Sequence, residues 1–193
     1  MTDTGKFTGS TAFDSHATPT LFARVCAYWS SLRENGTPPR RAAIEAQALA
    51  DALPHVFLAE LVTPRVARLR ICGHRIEALM GMEMRGMPLS VLFVGSARDA
   101  LAEAVEQTAK GARVILSLEA EAESGMPQIS ATLALLPLVD EAGRITRLLG
   151  VLDQRGETGR APRRFTLARP VLDEPPAAPA RRPVLRVIPG GRR

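Results

Sequence analysis

Residues 68–86, read as RLRICGHRIEALMGMEMRG, constrain the fold of this chain more than any other stretch. An alternating apolar–basic run predicts a short strand ending at Gly73. A two-turn helix follows at 74–80, and glycines at 81 and 86 close it. In the strand the alternation points Leu69 and Ile71 one way and Arg68 and Arg70 the other. The residues before it, 55–62, are mostly apolar, and Thr63-Pro64-Arg65 makes the turn of an antiparallel hairpin.

On either side of this hairpin the pattern changes. Thr18-Pro19 offers a hydroxyl N-cap with proline at the first helical position. Leu21, Phe22, Val25, Trp29 and Leu32 then recur at three- and four-residue steps, which predicts an amphipathic helix over 19–34. Asn35-Gly36 stops it and Pro38-Pro39 prevents its resumption. A shorter helical piece at 42–53 leads to Pro54. Downstream, a helix at 97–110 with Ser96 as its cap ends at Gly111. Three strands follow, at 113–122, 128–139 and 144–153, joined by the turns at 124–127 and 140–143.

The last two strands are too apolar for a sheet with one wet face. Leu133, Leu135, Leu136, Leu138, Ile145, Leu148, Leu149, Val151 and Leu152 fall on both sides of the pleat, so something covers the second side. The helix 19–34 can cover its own sheet, a partner's sheet, or both. Residues Leu21, Val25, Trp29 and Leu32 are therefore the candidates for a homodimer interface.

The chain has 193 residues and a formal charge of +5. Residues 18–153 are near neutral; the excess lies in 154–193, with ten Arg against three acids. That weakens any reading as a nucleic-acid-binding domain and leaves contact with nucleic acid or anionic membrane to the tail alone. The tail, rich in Pro, Ala, Gly and Arg, is expected to be flexible, and residues 1–17 to be a disordered leader. Two apolar islands in the tail, at 165–167 and 184–188, can add as strands to a partner's edge, although composition favours a solubilising role. No apolar run reaches membrane-spanning length and the leader lacks a secretory h-region, so a cytoplasmic protein is expected.

Two antiparallel strands, a cluster of helices and three further antiparallel strands is the order of the PAS fold. Tyr28-Trp29, Pro39-Arg40-Arg41, the run 55–60, Arg70 to Gly73, Glu77, Gly81 and Gly86 resemble a group of bacterial single-domain PAS-like proteins. The runs 135–138 and 149–151 fit the same pattern, over about 20–153. The resemblance implies an α+β, PAS-like five-stranded antiparallel sheet, helices on one face and the N-terminal helix over the other. It also implies a sensory or regulatory module that binds a small ligand or a partner protein and signals through dimerisation, with no assigned activity. The alternative is a protein–protein scaffold with a filled pocket, acting through its basic tail. One departure is Cys72-Gly73-His74, where similar sequences usually carry a small residue, Gly, then Thr.

Strand parity and helix face give the expected pocket lining: Leu69, Ile71, Ile76, Met80, Met87, Leu92, Leu116, Leu133 and Leu149. Haem and flavin are disfavoured as cofactors: helix 97–110 carries no histidine, and Cys72 lies on a strand outside the polar helix used by photoreactive flavin relatives. Cys26 and Cys72 are too far from other ligands in sequence for a zinc site. Glu119, Glu121 and Glu123 mark the wet side of a strand. No nucleophile or acid–base constellation can be assembled, so no enzyme is expected.

Overall fold

The computed structural model describes residues 20–123 and 126–174. Its centre is an antiparallel sheet in the order β2-β1-β5-β4-β3-β6. The strands are β1 (Val56–Thr63), β2 (Val66–Cys72), β3 (Arg113–Ala120), β4 (Ile129–Val139), β5 (Ile145–Arg155) and β6 (Thr166–Glu174). Helices α2 (His74–Met80) and α3 (Arg98–Ala109) share one face with the segment 84–94. Helix α1 (Leu21–Ser31) and a 3-10 helix, Gln47–His55, cover the other.

Each face is dry for its own reason. On the α3 side, Val114, Leu116, Leu118 and Ala120 of β3 alternate inward and meet Leu101, Ala104 and Val105 of the helix. On the α1 side, Val25, Cys26 and Trp29 pack on Ala134, Leu136, Leu138, Leu149 and Val151. The helix thus covers its own sheet. Trp29 is fixed by more than burial, because its indole Nε1–H donates to the Pro137 carbonyl of β4 at 2.9 Å. The expected cap Thr18 lies outside the described residues. Thr20 caps α1 instead, its hydroxyl accepting from the Ala23 amide at 3.2 Å.

Two expectations need correction. First, Leu69 and Ile71 do not face the same side. Leu58 pairs with Ile71 but Ala59 pairs with Leu69, leaving Arg70 as an extra residue in β2. This β-bulge shifts the parity of one strand against the other and carries Ile71 to the opposite face. Second, the sheet has six strands rather than five, and the sixth comes from the stretch expected to be flexible. Phe165 is buried, its amide donating to Leu92 O at 2.9 Å and its carbonyl accepting from Val94 N–H at 3.0 Å. Ahead of it, Arg163 is buried and donates to the carbonyls of Thr158, Glu121 and Pro127 at 2.8, 3.1 and 2.6 Å. Burial of the Phe165 ring, the backbone dipoles that satisfy the Arg163 guanidinium and the ladder to β3 together offset the cost of ordering the segment, so the chain docks and continues as β6. The apolar island at 165–167 therefore adds to its own sheet. The second island and the expected leader lie outside the described residues.

Candidate ligand cleft

The corner between β2 and α2 is built around Gly73. Its backbone has an ordinary φ of −72°, so the need for glycine is spatial. A Cβ there would stand 2.3 Å from the carbonyl oxygens of both Leu53 and Pro54. Only a bare α-carbon lets the end of the 3-10 helix sit this close to the corner, and the Gly73 amide then donates to Val56 O at 2.9 Å. No side chain caps α2 at this point; His74 takes the first helical position and is exposed.

That approach leaves a cleft of about 490 Å³ between the 3-10 helix and the outer side of the hairpin. Its walls are apolar: Ile44, Leu49 and Leu53 above, Leu58, Ile71 and Leu149 below. Leu53 and Ile71 form part of the wall while remaining 42% and 57% exposed. Arg41 and His74 supply the polar side chains of the lining, together with Cys72. Burial and the negative charge of Glu77 push the Cys72 thiol up to about 12, so it stays protonated and unreactive at neutral pH.

The wall of this cleft is tied to α1. Tyr28 Oη donates to Ala43 O at 3.3 Å and accepts from the Glu45 amide at 3.0 Å, while Arg24 pairs with Asp51 at 2.9 Å. Farther along β1, on the face of Leu58, Glu60 binds Arg70 through Nε at 2.6 Å and Arg147 at 2.7 Å. Both arginines hold the Glu60 carboxyl below the usual carboxylate range, with the Arg70 hydrogen bond the largest cause.

Of the nine expected lining residues, six (Leu69, Ile76, Met80, Leu92, Leu116 and Leu133) sit together in the packed core under α2 and α3. Met87 is half-buried, and its carbonyl accepts from the Leu69 amide at 2.9 Å. Ile71 and Leu149 lie on the other face and line the cleft. Sequence reasoning weighed the Arg40-Arg41 pair as an anion binder but favoured a solvated pair after Pro39, and it passed over Ile44, Leu49 and Leu53. The four-residue step from Leu49 to Leu53, just before a strand, was the available signal. Of the four expected interface residues, Val25 and Trp29 are buried in this chain's own core, and Leu21 and Leu32 are half-buried.

The sequence profile of the PAS domain family matches residues 17–153, more than half of the chain. This chain belongs to the PAS domain family. A PAS domain is a sensory module rather than a catalyst. Among solved structures the PAS domain is similar to an RNA-binding Light-Oxygen-Voltage receptor, at 18% identity over 63% of this chain and TM-score 0.41. The match spans only 36% of that receptor. It is also similar to the dark structure of the blue-light photoreceptor Aureochrome1 LOV (18% identity, 65% and 90% of the two chains, TM-score 0.44). A third is a Light-Oxygen-Voltage domain studied with a flavin analogue (19% identity, 57% and 84%, TM-score 0.41). No curated protein matches the chain.

These relatives correct the expectation that flavin is disfavoured. A cysteine in a particular helix bears on one photochemical reaction, whereas a flavin can be held by non-covalent contacts alone, so the position of Cys72 is no ground for setting flavin aside. Among the described residues of the PAS domain, no cluster of three or more His, Cys, Asp and Glu is placed to hold a metal ion, and no helix is long and apolar enough to cross a membrane.

Proposed function

We propose that this PAS domain is a cytoplasmic sensory module that takes a small molecule in the cleft beneath residues 47–55. It reports occupancy through α1 to a partner, in the first instance a second copy of the chain. The observation that carries this reading is the link between cleft and helix: the segment that roofs the cleft is held to α1 by Tyr28 and by Arg24–Asp51. A molecule that lifts or tightens residues 41–55 therefore pulls on the helix that covers β4 and β5. The volume falls in the range of small-molecule sites, and an apolar wall with few polar groups is what such sites present. The sensory unit runs from α1 through β6.

Native mass spectrometry and the visible absorption spectrum of the freshly purified full chain test this directly. A stoichiometric co-purifying species, a flavin included, with hydrogen exchange in α1 slowing when it is bound, is the expected result. A bound species that leaves exchange in α1 unchanged would sink the coupling. A second reading, a protein–protein scaffold, draws on the close packing of Leu69, Ile76, Met80, Leu92, Leu116 and Leu133. It predicts no bound species and capture of a partner by the basic residues 175–193.

A further inference from the structure

We infer that the cleft takes an anionic amphiphile: a free carboxylate with an unbranched apolar body, its head at Arg41 and His74 and its chain on Leu53, Leu58, Ile71 and Leu149. This rests on the cleft being the sensory site.

Charge distribution points to the sign of the head group. None of the residues lining the cleft is acidic, while Arg41 lines it and His74 stands at the corner where α2 begins. The Arg41 guanidinium has no hydrogen-bond or ion-pair partner among the described residues, which is equally true of Arg40, Arg68, Arg75, Arg85 and Arg98, but of these Arg41 alone lines the cleft. A guanidinium presents a planar fork that matches a carboxylate. The protonated Cys72 adds no negative charge.

Shape and polarity point to the body. Leu53 and Ile71 line the cleft and are left about half exposed, Ile71 where the hairpin bulge turns it outward. Covering both with an apolar chain removes that surface from water, which is the driving force for binding. A compact polar metabolite would leave the aliphatic walls wet and find few hydrogen bonds.

Isothermal titration of the full chain with decanoate, decanol and decyltrimethylammonium, each below its micelle-forming concentration, tests the inference. Decanoate is expected to bind one saturable site about fivefold more tightly than decanol, with the cation weakest. Arg41→Gln should remove that fivefold advantage and leave decanol unchanged. Raising salt should weaken decanoate alone, since Arg41 is exposed and screened. Ile71→Glu, at a side chain already exposed, should abolish decanoate binding without unfolding the chain. Equal affinities for decanoate and decanol, with Arg41→Gln silent, would overturn the anionic assignment while leaving the cleft as the site. Failure of all three to bind would overturn the amphiphile class, and a different co-purifying species in the native mass spectrum would still uphold the sensory reading. Association with phosphatidylglycerol vesicles without binding of free decanoate would overturn it in favour of a membrane surface.

Discussion

The ring of Phe57 lies where a side chain at position 150 would have to go: a Cβ on Gly150 would stand 1.9 Å from its Cζ. The two residues are cross-strand partners on β1 and β5, and Phe57 is fully buried. Gly150→Ala is therefore expected to cost about 3 kcal/mol of stability, because the buried ring would have to shift to admit even a methyl group. Phe57→Ala alone should cost about 4 kcal/mol. The double variant should lose clearly less than the two together, since removing the ring removes the clash. Additive losses in urea denaturation would show that the contact is not what excludes a side chain at position 150.

Trp29 supplies a second test, and it changes how self-association has to be probed. Trp29→Phe deletes one buried hydrogen bond to Pro137 O and should cost about 1–2 kcal/mol. An acidic residue at 29 would bury a charge and strip α1 from its own sheet, so any change in mass would report unfolding. Ala27, exposed on α1, is the better probe. Ala27→Glu should leave the melting temperature within about a degree, as surface changes commonly do. It should also convert a dimer built on the outer side of α1 to monomer in light scattering. A wild-type chain that is already monomeric, or a variant of unchanged mass, refutes that dimer.

Much of this was legible in the sequence because the signals are local. The stripe from Leu21 to Trp29 reports a helix, and alternation from Val114 to Ala120 reports a strand, whatever the rest of the chain does. The surplus of leucine in β4 and β5 reported the second covered face. What escaped was decided by distant partners. The bulge at Arg70 depends on how β2 registers against β1, and it moved Ile71 from the expected pocket to the opposite face. Docking of Phe165 depends on the carbonyl of Leu92, and seating of Arg163 on those of Glu121 and Pro127, all far from this segment in sequence. The expected lining became packed core for the same reason: parity tells which side a residue faces, not whether the space there is filled.

The docked segment makes a sharp contrast with a flexible tail. Phe165→Ala should cost about 4 kcal/mol through the cavity it leaves. Arg163→Met keeps much of the volume but deprives several carbonyls of their donor, at about 2 kcal/mol. Ending the chain after Arg155 should lower the denaturation midpoint and speed exchange of the Val94 amide, whose acceptor is Phe165 O. A truncated chain as stable as the full one would restore the flexible tail.

Glu60 ties acid stability to the face that carries the cleft. Arg70 and Arg147 hold its carboxyl below the usual range, so the folded state binds that proton less readily than the unfolded chain. The stabilisation is accordingly complete above the ordinary carboxylate pKa of about 4.3 and is lost as pH falls through the lower folded value. It is modest, because all three side chains are partly exposed and screened. Glu60→Gln should lower stability at neutral pH and flatten this part of the acid limb, the two proteins converging once Glu60 is protonated in both states. Raising salt should shrink the difference at pH 7. Urea midpoints measured between neutral and strongly acidic pH check this. Parallel curves for the two proteins would mean that Glu60 keeps an ordinary pKa and that the two arginines do not act on it.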